Sequence, residues 1–204
     1  HGHEHVGLQQ AIATFWLLTQ LGGIGSRSRR CGGSLAVQAV QNDLTTLPFT
    51  IAANTQALKS QLERGIQEAR HLTKAFHQLE PRSISLATFD ILAQKTCRIW
   101  ILQDERPWSS AEEAVRELGT DLQDYRSHIS PIGRREIFGL PLPRVDSNKR
   151  HASPLLLHVA ELQKQKYVGI AVLFKTTESD GRPDDYTLIE KWIDNFCGKR
   201  EVLL

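Results

Sequence analysis

The sequence predicts an α+β protein built from ferredoxin-like (RRM-like) units, and two observations predict it. From Cys97 onward the apolar patterning reads β-α-β-β-α, with Glu201 to Leu204 as a last short strand, which is the split βαβ order of that fold. Ahead of it, Gly7 to Gln41 reads helix, glycine-rich loop, strand, the closing half of a similar unit whose opening half is expected upstream of His1. Residues 1–48 are therefore assigned to the closing part of a first ferredoxin-like domain, and 49–204 to a long helix plus a second one. Methionine is absent and the chain starts HGHEHV, so a piece of a longer protein is expected.

Each element has its own signal. His1, His3 and His5 alternate as on one strand face, where three imidazoles could hold a metal; an ordinary strand or a tag remnant is the plainer reading. Leu8, Ala11, Ile12, Phe15, Leu18 and Leu21 recur near helical spacing, and Gly22 and Gly23 stop that helix. Ser34 to Gln41 alternates Leu35, Val37 and Ala39 with polar or small neighbours, a strand pattern. Thr50 to Glu80 places Ile51, Leu58, Leu62, Ile66, Ala69, Leu72, Phe76 and Leu79 on one helical stripe ended by Pro81, with Gly65 marking a bend or a close contact. Cys97 to Leu102 is a short strand, and Trp108 to Ile129 is a helix opened by Ser109 or Ser110 with Glu112 and Glu113 in its first turn. A connector rich in Gly, Pro and Arg, Ser130 to Ser153, leads to strands at Pro154–Leu162 and Tyr167–Lys175. A final helix starts at Pro183 and Asp184, with Tyr186, Ile189, Ile193 and Phe196 on one face.

The totals exclude several functions. Among 204 residues, 40% are apolar and 24% charged, the balance of a globular protein, and a net charge of +2 leaves any basic function to be local. Cys31, Cys97 and Cys197 form no CxxC pair, which removes zinc ribbons and dithiol redox motifs and fits a cytoplasmic protein. No apolar run approaches the ~18 residues of a membrane span, and no signal peptide is visible.

The local basic feature is LGGIGSRSRRCGGSL, Leu21 to Leu35. It lacks GK[ST], lacks the third glycine of a dinucleotide fingerprint, and follows a helix instead of opening one, so neither nucleotide-cofactor reading survives. Its glycines permit positive φ and close approach, its amides can face an anion, and Arg27, Arg29 and Arg30 carry forks that match phosphate oxygens. A solvated linker with unconnected arginines reads equally well from composition. A second basic stretch in the connector holds Arg134, Arg135, Arg144, Lys149, Arg150 and His151.

LGGIGSRSRR resembles the glycine-rich signature of the RAMP superfamily of CRISPR systems. With FGLPL (Phe138 to Leu142) and RHASPLLLHV (Arg150 to Val159) downstream, the chain more narrowly resembles the first-numbered RAMP subunit of the type III-B Cmr effector complex, over roughly residues 7–175. Cys31 stands where that family usually has glycine and Gly32 where it usually has an aromatic residue. The resemblance implies RAMP domains in a non-catalytic, RNA-binding structural subunit of an antiviral ribonucleoprotein. Such a subunit would contact crRNA, or the guide–target RNA duplex near the guide 3′ end, and dock on other Cmr-complex RAMP subunits. The positions it carries over are Gly22, Gly23, Gly25, Arg27, Ser28, Arg29, Arg30 and Gly33 in the loop, with Arg150 and Ser153 in the second motif.

Two alternatives stand beside that expectation. One is a metal-independent RAMP endoribonuclease processing precursor crRNA, with His151 its candidate acid or base because it lies beside an arginine in a loop. The other is a protein-interaction module whose basic loop meets an acidic surface. No catalytic residue, cofactor, metal or membrane partner is assigned, since Asp184–Asp185 and Asp104–Glu105 read as helix caps.

Overall fold

The structure is a computed structural model, and it describes residues 2–38, 44–74, 92–94, 96–139, 152–175, 186–196 and 198–204. In chain order they form α1 (Gly2–Leu21), α2 (Thr55–Lys74), β1 (Cys97–Leu102), α3 (Ala111–His128), a 3-10 helix (Ile132–Phe138), β2 (Leu155–Leu162), β3 (Lys166–Phe174), α4 (Thr187–Asp194) and β4 (Arg200–Val202). The strands make one sheet in the order β2-β3-β1-β4, antiparallel throughout, with Trp100 opposite Ala171 and His158 opposite Ile170. The predicted ferredoxin-like unit from Cys97 onward is therefore present, with EVLL contributing β4.

Alternation along the strands feeds two cores. Ile99, Ile101, Val168, Ile170, Val172 and Ala160 pack on one face with α1 and α2. Trp100, Leu102, Leu155, Leu157, Ala171 and Leu173 pack on the other with α3 and α4. A sheet covered on both sides needs strands that are apolar at nearly every position, and CRIWIL and YVGIAVLF are. The α3 start follows the capping signal: Ser110 Oγ accepts from the Glu113 amide, and the Glu113 carboxylate accepts from the Ser109 amide (2.9 Å) and hydroxyl (2.5 Å). Those bonds hold the Glu113 carboxyl below its ordinary range.

Four expectations are corrected. The HxHxH start is helical from Gly2, continuous with α1, and not a strand. The buried stripe of α1 is Ala13, Trp16 and Thr19 with Leu21, whereas Leu8 and Phe15 are about half exposed. Apolar residues are spread round this helix without one clear face, so periodicity could not orient it; the notch at Gly65 of α2 does. A Cβ at Gly65 would fall inside the Trp16 ring, whose Nε1 donates to the Pro48 carbonyl at 2.8 Å. α2 begins at Thr55, because Asn54 caps it: its Oδ1 accepts from the Ala57 amide at 2.9 Å. Asp104 is not a helix cap; it binds the Arg200 guanidinium at 2.5 Å and the Thr55 hydroxyl, tying β4 and α2 to the end of β1.

The strand predicted over Ser34–Gln41 carries no ladder at 34–38, where Ser34 is instead held by side-chain bonds, and the rest lies outside the described residues. The ends of the predicted helices at Phe76–Glu80 and Pro183–Asp185 also lie outside them. Among the described residues no helix is long and apolar enough to cross a membrane.

Candidate nucleic-acid interface

The glycine loop is built from the end of α1 outward. Gly22 closes the helix with its amide on the Leu18 carbonyl at 3.1 Å, and a Cβ there would lie 2.9 Å from that oxygen. The base of the loop is pinned by the Ile24 amide donating to the Gly33 carbonyl at 3.0 Å. Gly33 has φ +99° and a Cβ on it would fall on the Ile24 carbonyl, so only glycine fits. Inside, the Ser28 amide meets Gly25 and the Arg30 amide meets Arg27, at 3.2 and 2.8 Å, so these amides shape the loop.

The outgoing limb is stitched to the outer edge of β2. Leu157 donates to the Arg29 carbonyl at 3.2 Å, and Cys31 donates to the Leu157 carbonyl at 3.0 Å, a short parallel bridge centred on Arg30. The Val159 amide then donates to Ser34 Oγ at 3.0 Å. Farther along, Ala52 makes a second parallel bridge to Leu162. Between these two bridges lies a cleft of about 460 Å³ bordered by Gly33, Ser34, Thr50, His158 and Glu161.

Two of the predicted positions, far apart in sequence, meet here. Arg29 Nη1 donates to the Ser153 carbonyl at 2.6 Å across 124 residues, and Ser153 Oγ accepts from the Leu155 amide at 3.2 Å. The glycine signature and the downstream SPL element are thus parts of one corner. Arg27 and Arg30 are exposed, Gly25 sits at φ +99° in open space, and Gly23 and Ser28 are half-buried in the turn. Arg150, together with His151 and Leu140–Leu142, lies outside the described residues; Phe138 is buried.

Cys31 fills the position that departs from the resemblance. It has φ +54°, the left-handed region that favours glycine, yet its side chain is buried, with Sγ 3.8 Å from the Val115 carbonyl of α3. Burial pushes its thiol up to about 11. His158, read in the sequence only as a strand histidine, is 2% exposed, and its Nδ1 donates to the Gly22 carbonyl at 2.8 Å. Burial lowers its pKa and the bond to Gly22 opposes that shift. It buttresses the end of α1.

Sequence reasoning missed Arg126. It lies in the last turn of α3 and half-buried, its pKa lowered first by burial and then by the charges of Arg30 and Arg135. No spacing rule marks it, because the company it keeps is assembled from three separate segments. Among the described residues no group of three or more His, Cys, Asp or Glu could hold a metal.

No protein-family model matches the chain. It is 26% identical over 175 residues to the CRISPR system Cmr subunit Cmr1-1 of Pyrococcus furiosus, covering 83% of this chain and 50% of that protein. The crystal structure of Cmr1 from Pyrococcus furiosus in its apo form superposes with a TM-score of 0.62 and 21% identity, over 96% of this chain and 59% of that one. The chain spans about half the length of the curated relative it matches. It resembles a Cmr subunit of the Cmr1 kind and shares with that structure an α+β, ferredoxin-like fold.

Proposed function

We propose that this chain is the RNA-binding, non-catalytic part of a type III-B CRISPR (Cmr) antiviral ribonucleoprotein in the cytoplasm. Its glycine loop contacts crRNA, or the guide–target duplex, near the guide 3′ end, and the chain docks on other RAMP subunits. On this reading residues 1–48 close a first ferredoxin-like unit and 49–204 supply the second. The observation that carries it is the Arg29–Ser153 bond, which makes one surface corner of the two motifs behind the resemblance. At that corner Arg27 and Arg30 are exposed, with no carboxylate bonded to either among the described residues. Guanidiniums presented on a loop pinned to a sheet edge neutralise phosphates without reading bases, leaving sequence to the guide.

The test is a fluorescence-anisotropy titration with labelled single-stranded RNA and with an RNA duplex across a salt series. Arg27→Ala with Arg30→Ala should weaken binding for every sequence alike. It should also flatten the salt dependence by about 1.4 in log Kd per log salt, roughly 0.7 per phosphate contact on a single strand. Arg29 is left in place because it also holds the corner together. Unaltered affinity and slope in the double variant would remove the loop from the interface. Defined cleavage of repeat RNA in a chelator, lost on His151→Ala, would replace this reading with the endoribonuclease. Tight binding to a partner subunit with no RNA retained at low salt would replace it with the protein-interaction module.

A further inference from the structure

We propose that Arg30, Arg126 and Arg135 together seat a single RNA phosphodiester on the α3 side of the glycine loop. The inference rests on the RNA-binding reading and extends its site to two residues outside the family motifs. Arg126 Nε is the one buried side-chain nitrogen or oxygen, among the described residues, with no hydrogen-bond partner. Its guanidinium lies 5.7 Å from the centre of the Phe138 ring and reaches no carboxylate among the described residues. Among the described residues the charges near enough to act on it are Arg30 and Arg135, both of its own sign.

Other half-buried arginines have partners: Arg29 and Arg70 donate to the Ser153 and Leu92 carbonyls, and two more are paired with carboxylates. Arg98 binds Glu190 and Glu201, each at 3.0 Å, and Arg200 binds Asp104 at 2.5 Å. At the end of α3, Arg126 Nε has no such partner, and its surroundings are organised. Arg135 is held in place by carbonyls, its Nε on Ile129 at 3.0 Å and its Nη2 on Ser127 at 2.6 Å. Those bonds fix the fork and use two of its five donors. Arg30 is fixed through its backbone to Leu157 of β2. Three forks thus come from the loop, the last turn of α3 and the 3-10 helix, and a shared anion is what relieves their repulsion. A phosphodiester fits the exposure: Arg30 is at the surface, and Arg126 and Arg135 are half-buried, with the Nε of Arg126 enclosed.

Arg126→Met tests this, since it keeps the stem and removes the fork. Expected is a loss of about tenfold in affinity for the labelled single strand at moderate salt. The salt slope should fall by about 0.7 and the melting temperature stay level or rise, because an unpaired charge has been removed. Arg30→Ala in the same background should add less than it does alone, as two residues on one phosphate must. Wild-type affinity and slope in Arg126→Met, or a lowered melting temperature with RNA binding intact, would overturn the proposal and leave the loop reading standing. If the wild-type protein binds no RNA, the loop reading fails. Thermal stabilisation by inorganic phosphate over chloride at equal ionic strength then decides: its loss in Arg126→Met supports an anion seat, and its persistence or absence overturns it.

Discussion

His158 sits on a strand whose other members, Glu161 aside, are apolar, and it is as buried as they are. What keeps a polar ring there is one carbonyl. Gly22 lies at the point where α1 has run out of helix, and its oxygen has no intrahelical partner, so the Nδ1 proton satisfies a group that burial would otherwise strand. The neutral ring donates this bond, and charging it costs desolvation. The folded pKa is therefore below the ordinary value of 6.5, while the unfolded chain titrates near it. Between the two, the unfolded state binds the extra proton, so stability rises with pH in that window. The contribution is complete above about pH 6.5 and is lost as pH falls below it. His158→Asn retains a donor near Nδ1 and cannot titrate. Its urea midpoint should fall less between pH 7 and pH 5 than the wild-type midpoint does; parallel curves would show that other groups set the acid limb.

At the scale of elements, α1 and α2 are joined by one interdigitation, the Trp16 indole over Gly65. Alanine at 65 favours the helix by about 1 kcal/mol, but a methyl group inside the indole forces overpacking of about 1–3 kcal/mol or more. Gly65→Ala should therefore destabilise the protein by roughly 1–2 kcal/mol in a urea titration, and a gain in stability would mean that Trp16 has room to retreat. Gly65 also shows where sequence reading reached. Its position inside a strong helical stripe marked it as a bend or a close contact, and it is a contact. The strands were legible because burial on both faces leaves an unbroken apolar signature in CRIWIL and YVGIAVLF. The orientation of α1 was not, since Leu8, Phe15, Trp16 and Leu17 spread apolar surface round the cylinder and only the partner decides which side is inside. The docking of the glycine loop on β2 was equally hidden. A parallel bridge from Arg30 to Leu157 leaves no local periodicity, and the corner at the end of α3 sets Arg30 near Arg126 and Arg135, about a hundred residues on.

For the whole molecule, coverage of both sheet faces dictates how RNA can be met. Many four-stranded ferredoxin-like domains bind single strands by stacking bases on aromatics of the open sheet face. Here one face lies under α1 and α2 and the other under α3 and α4. The outer edge of β2 is in turn occupied by the loop and by Ala52. On the proposed reading, the described residues leave RNA charge at a corner and no open sheet face to stack on. All four tryptophans report on this: Trp16 and Trp192 are fully buried, and Trp100 and Trp108 are 4% exposed. Three have their indole N–H committed, Trp16 to Pro48, Trp108 to Glu117 and Trp192 to Asp121, while Trp100 lies under the Arg98 guanidinium. A base stacked on an indole quenches it, and none of these indoles can be reached without opening a core. RNA that raises the anisotropy of its own label should therefore leave intrinsic tryptophan emission unchanged in intensity and wavelength at saturation. Quenching that tracks the binding curve and is reversed by salt would place a base on one of these rings. Recognition would then have to include an opened sheet face, and the corner would be an accessory to it.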